Sequence, residues 1–146
     1  GHCIAVDPWF LIEKFSNNTE LMTQARSTNL KKTKWVENKI MFSVNQYTKK
    51  HKTSPTLGIL GLTYKPNVDD IRESPALEIA KILSEKNLKI LASDPCIQNT
   101  NIISTYPLKK VLADADILVI LVRHEIYKNL KINHETILLD FVNITI

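Results

Sequence analysis

The sequence predicts an α/β protein, a helical arm followed by a small open parallel sheet, and three observations carry that expectation. Beyond Pro55, four short apolar runs follow one another: TLGILGL (56–62), LKILA (88–92), DILVILV (116–122) and TILLDFV (136–142). Runs this unbroken belong to strands covered on both faces, as in a parallel sheet. Helical stretches stand between them, the alternation that builds parallel strands with crossover helices. Ahead of Pro55 the period changes: Val36, Ile40, Val44 and Tyr47 fall on one stripe of a 3.6-residue repeat.

Taken in order, residues 1–15 read as loop and short extended pieces, because GHCIAVDPWF sets a Gly and a Pro among polar residues. A helix is predicted to begin near Asn17, with Glu20 three residues later completing a capping box. A second, longer helix covers about 30–50. Trp35, Met41 and Phe42 widen its apolar surface beyond one stripe, so it needs cover on two sides, and a second subunit would supply it: a homodimer through the 30–50 helix. The basic KKHK (49–52) at its end suits the helix dipole. KTSP (52–55) is the hinge, since Pro55 bars helix continuation. After the first strand, SPALEIAKILSEKN offers Ser74 as N-cap, Pro75 at the first helical position and Glu78 in the first turn. Shorter helices are predicted around 107–114 and 124–130. The domain boundaries follow: an opening loop at 1–15, a central helical region at 16–54, and the sheet domain at 55–146.

Composition narrows the function classes. The 146 residues are 44% hydrophobic and 23% charged, values of a folded globular chain and not of a disordered one. A net charge of +4 and a pI near 9.0 suit phosphate-bearing ligands. KKTK (31–34) and KKHK lack the interleaved aromatics of a nucleic-acid surface, so they read as solvated helix ends. No apolar run reaches the roughly 20 residues of a membrane span. Cys3 and Cys96 have no C-x-x-C spacing and no ligand cluster around them, so neither a metal nor a disulfide framework is expected, and the cytoplasm is the expected compartment.

Chemistry is expected beyond the carboxyl ends of the strands, where open α/β sheets bind ligands. The first strand runs into GLTYKPNVDDIRESP, a long connection carrying Tyr64, Lys65, Asn67, Asp69, Asp70, Arg72 and Glu73. Lys65 and Arg72 suit phosphate or carboxylate. Arg72 equally suits bracing its own loop through Asp69 or Asp70, and spacing leaves both open. Gly58 and Gly61 make G-x-x-G, short of the dinucleotide fingerprint. Asp94, after the second strand, reads as an Asp-Pro turn before a ribose-binding acid. Cys3, beside His2 in a polar loop, is either a small packing residue or a nucleophile. Trp9 and Phe10 read as anchors of that loop. Cys96, His124 and His134 read as incidental.

GHCIAVDPWF together with GLTYKPNVDDIRESPALEIA resembles the UDP-glucose/GDP-mannose dehydrogenase family, and ADADILVILVRHEIYKNL agrees with the strand and helix near its end. The resemblance implies a Rossmann-like UDP-sugar-binding domain at the C-terminus, preceded by a dimerising helical region and an NAD-binding domain. The chain would then be a C-terminal portion, expected to be inactive alone. It implies that Cys3 is the nucleophile of a four-electron oxidation at sugar C6 through thiohemiacetal and thioester, with two NAD consumed. Asp7 matches the acid that positions or activates water. Tyr64 and Lys65 match substrate-binding positions, and Arg72 a residue reaching across the cleft to NAD. One departure stands out: DFVNITI places Val142 where a substrate-contacting lysine is expected. A non-catalytic UDP-binding or dimerising module is the alternative.

Overall fold

The computed structural model describes residues 3–98 and 100–145. It holds α1 (Cys3–Lys14), α2 (Glu20–His51), β1 (Thr56–Leu60), α3 (Pro75–Glu85), β2 (Lys89–Ser93), α4 (Leu108–Asp114), β3 (Ile117–Ile120) and β4 (Ile137–Asp140). The four strands form one sheet in the order β2-β1-β3-β4, every pair parallel. Three fall inside the predicted apolar runs, and β2 overruns its run (88–92) by one residue, Ser93. β1 and β3, in the middle, are buried at every position, whereas β4 at the edge is only half-covered.

Alternation along the strands divides the core into two layers. Leu57, Ile59, Ile117 and Val119 face Val36, Ile40 and Val44 of α2 and Leu77, Ala80 and Leu83 of α3. Leu60, Leu118 and Ile120 face the other side, against Val111 of α4, Tyr127 and Ile144. Gly58 lets α4 settle onto the sheet. A Cβ there would lie 2.7 Å from the Ala115 Cβ and 2.8 Å from Val111.

Four expectations are corrected. Residues 3–14 are helical, not loop. Pro8 lies inside α1, where its fixed φ is already helical and it forfeits one backbone bond, that to the Ile4 carbonyl. The helix survives this loss by lying against α2, with Ala5, Val6, Pro8 and Ile12 half-buried. The capping box at Asn17 is not made. Asn17 sits in a short 3-10 turn (Ser16–Asn18), and the cap of α2 is Thr19, whose hydroxyl donates to the Phe15 carbonyl at 3.2 Å. From Glu20 a single helix of 32 residues replaces the two expected, because neither Gly nor Pro interrupts it until Lys52 closes it in a left-handed conformation, φ 61°. The predicted helix at 124–130 shrinks to a 3-10 turn (Glu125–Tyr127), pinned by the inward side chains of His124 and Tyr127 and stopped at Asn129, φ 60°. The α3 cap forms as expected, Ser74 Oγ accepting from the Leu77 amide at 3.3 Å behind Pro75.

Candidate functional site

The connection from β1 to α3 (61–74) lies at the carboxyl edge of the sheet, where it is folded back and tied. Gly61, at φ +90°, makes the first bend; its amide donates to the Ser93 carbonyl at 2.9 Å, and Val122 crowds the space a Cβ would need. Asp94, at the end of β2, accepts from the amides of Leu62 at 2.7 Å and Thr63 at 3.2 Å, and from its own-side amide of Cys96 at 2.9 Å. Ser74 donates to the Leu62 carbonyl at 2.8 Å. Farther out, the Tyr64 amide donates to the Asp70 carbonyl at 2.7 Å, closing the loop on itself.

Tyr64 is half-buried and Lys65 exposed, and among the described residues Lys65 has no ion-pair partner. Arg72 meets Asp70 in a two-pronged pair, 2.9 Å at each prong, so of its two open readings the bracing one is realised. Hydrogen bonds to Asp70 and that carboxylate's charge raise the Arg72 guanidinium above its ordinary value. Cys3 is exposed and opens α1, and Asp7, four residues on, shares its helix face. His2, the expected neighbour of the thiol, lies outside the described residues. Trp9 and Phe10 are exposed, by 40% and 66%, so neither is the buried anchor expected.

Sequence reasoning missed the buried polar centre behind the loop. His124, fully buried just past β3, points both ring nitrogens into it. The Asn67 amide donates to Nδ1 at 3.0 Å; Nε2 lies 3.1 Å from Asp94 Oδ2 and 3.1 Å from Thr63 Oγ1. The Thr63 hydroxyl donates to the Lys65 carbonyl at 3.0 Å. An amide can only donate, so Nδ1 is the acceptor and Nε2 carries the proton toward Asp94. Burial alone would push the Asp94 carboxyl up, but the ring N–H and the Leu62 and Cys96 amides outweigh it and hold it below the usual range. Cys96 goes the other way, its thiol raised by burial and by Asp94 and Asp69. Asp94, Cys96 and His124 bring their ligand atoms within 4.8 Å of one another. Those of Asp94 and His124 are already spent on N–H groups and the thiol is poorly ionised, so the trio works as a hydrogen-bond clamp. The available signal was the place of His124, two residues past DILVILV at the carboxyl edge of the sheet.

A cleft of about 210 Å³ opens beside the start of α3, its walls including Asn29, Lys32, Val36, Ala76, Leu121 and Val142. Val142 presents no charge to it. Neither Gly58, packed under α4, nor Gly61, backed by Val122, leaves an open glycine cradle for a dinucleotide pyrophosphate.

The family described as "UDP-glucose/GDP-mannose dehydrogenase family, UDP binding domain" matches residues 58–145. The chain is 44% identical over 78 residues to a UDP-N-acetyl-D-mannosamine dehydrogenase of Campylobacter jejuni, an alignment covering 52% of the chain and 17% of that protein. It is 37% identical over 132 residues to the enzyme of that name in Methanocaldococcus jannaschii, covering 88% of the chain and 28% of the relative. Among solved structures, the UDP-N-acetyl-mannosamine dehydrogenase of S. aureus superposes with a TM-score of 0.70 at 32% identity, covering 94% of this chain and 32% of that one. The chain thus spans less than a third of the curated relatives it matches. With this sheet order, this loop and these matches, the chain belongs to the UDP-glucose/GDP-mannose dehydrogenase family, and residues 58–145 are its UDP-binding domain.

Proposed function

We propose that the chain supplies the UDP-sugar wall and the nucleophile of an NAD-dependent dehydrogenase that oxidises UDP-N-acetyl-D-mannosamine at C6 to the uronate for surface polysaccharide. The observation that carries this reading is the tied loop at the carboxyl edge of a UDP-binding sheet, which carries Arg72 and holds Lys65 exposed, with no ion-pair partner among the described residues. Lys65 would meet a phosphate as a point charge, and Tyr64 would flank it. With NAD as the hydride acceptor at each oxidation, Cys3 would add to the C6 aldehyde, forming the S–C bond of a thiohemiacetal, and after oxidation of that adduct to a thioester would leave as thiolate when water opens it. Asp7, on the same helix face, would orient that water.

The dinucleotide does not fit this sheet, which lacks a glycine cradle. Arg72 alone of this chain's residues is proposed to reach NAD, and turnover by the chain by itself is not expected. Exposed Leu30, Trp35 and Phe42 on α2 support a homodimer along that helix, and the cytoplasm suits this chemistry. Uncharged Val142 in the cleft favours the second reading, a non-catalytic UDP-binding module.

Titration calorimetry of the chain with UDP and then UDP-N-acetylmannosamine tests the site. Lys65→Ala is expected to weaken UDP about tenfold or more, the worth of a charge-assisted bond. No binding by the parent, or equal binding by the variant, overturns the assignment. Both readings predict UDP binding; tighter binding of the sugar nucleotide than of UDP separates the first from the second.

A further inference from the structure

We infer that His124 is a positioning residue: through Nδ1 it holds the Asn67 amide, and with it the Lys65-bearing loop, in the shape that receives a nucleoside diphosphate. This deepens the UDP-sugar reading and rests on it.

Between the ties at Leu62–Thr63 and at Ser74, the outer loop of 64–70 is exposed or half-buried and packs little of its own. Its inner anchors hold the ends. The excursion that presents Lys65 is held from beneath at two points. The Thr63 hydroxyl takes the Lys65 carbonyl, and His124 Nδ1 takes the Asn67 amide. Asn67 stands at φ 58°, a conformation that Asn tolerates but does not seek. Its side chain returns the contact, Oδ1 accepting from the Glu125 amide at 3.3 Å. The loop is thus stitched on both sides of one histidine, 57 residues away in sequence.

The ring's orientation is itself dictated. Asp94, tied to the Leu62 and Thr63 amides, takes the Nε2 proton, leaving the Nδ1 lone pair for the loop. Tyr127 packs edge-on against the ring, centroids 5.4 Å apart, and its hydroxyl is anchored to the Ser93 carbonyl at 2.9 Å. Removing the Nδ1 acceptor would strip the Asn67 amide of its partner at a partly buried contact, a cost the loop relieves by moving outward.

Two substitutions separate positioning from bulk structure. The amide oxygen of His124→Asn can stand where Nδ1 stood, losing the Asp94 contact and much volume. The amide of His124→Gln can stand near Nε2, keeping Asp94 and more volume but losing the acceptor for Asn67. A histidine needed only for packing predicts Asn as the worse replacement. Positioning predicts the reverse at the loop: H124Q speeds Asn67 amide exchange and weakens UDP, each by about tenfold, while H124N stays within about threefold of the parent.

Equal exchange and UDP affinity in H124Q and the parent overturn the inference, as does greater loop damage in H124N. Should either variant fail to fold, nitrogen NMR of the parent imidazole decides. Nε2–H with a hydrogen-bonded bare Nδ1 is expected, and a proton on Nδ1 overturns it. If the parent binds no UDP, the functional reading falls, and Asn67 exchange still judges the clamp.

Discussion

At Asp94 one buried carboxylate accepts from three backbone amides and a ring N–H, joining the end of β2 to the start of the loop between β1 and α3. Replacing it with Asn sets an amide N–H₂ against donors already there. Asp94→Asn is expected to cost about 2–3 kcal/mol in urea unfolding at neutral pH. The acid limb follows from the same contacts. Because the folded carboxyl titrates below its unfolded value, the unfolded chain binds more protons as pH falls under ~4. Asp94's contribution is therefore complete above that pH and drains away as pH drops through the lower folded value. The variant should show a flatter stability curve there. Ser74, Pro75 and the Lys65 loop were legible because their cues are local: a cap, a proline, a long connection. His124 was not. Its partners, Thr63 and Asn67, lie 61 and 57 residues away, and only the fold brings them together.

Among the elements, the strands were readable because central strands of a parallel sheet cannot afford polar positions, which leaves a dense apolar signature. Helices on the arm were harder. Pro8 and the short polar stretch around Asn17 look like breaks, yet contact with α2 outweighs the bond lost at Pro8. The seat of α4 on β1 is tighter than any spacing reveals. A methyl at Gly58 would intrude on Ala115, Val111 and Leu118 at 2.7, 2.8 and 2.9 Å. Ala115 Cβ and Val111 Cγ1 sit on short side chains that cannot swing away, so α4 must lift. Gly58→Ala is expected to destabilise the chain by about 2 kcal/mol, with the denaturant midpoint falling at an unchanged slope. A stability equal to the parent's would mean that α4 rides loosely.

For the whole molecule, one long helix carries two kinds of apolar surface. Val36, Ile40 and Val44 are buried in the sheet's core, while Leu30 and Phe42 remain 54% and 62% exposed. With exposed Ile4, Phe10 and Leu11 on α1, this is more grease than a monomer ordinarily leaves to water. Sedimentation at high micromolar concentration is expected to show a dimer, with Phe42→Glu shifting it to monomer while leaving the melting temperature nearly unchanged. A monomeric parent would refute self-association along α2.

Spanning about 48 Å without a break, α2 also acts as a strut. Its far half is bedded under the strands and its near half carries the segment that bears Cys3. With no joint along its length, a tilt of the bedded half is delivered to the opposite end magnified by the lever arm, so small repacking beneath the sheet would shift Cys3 relative to Lys65.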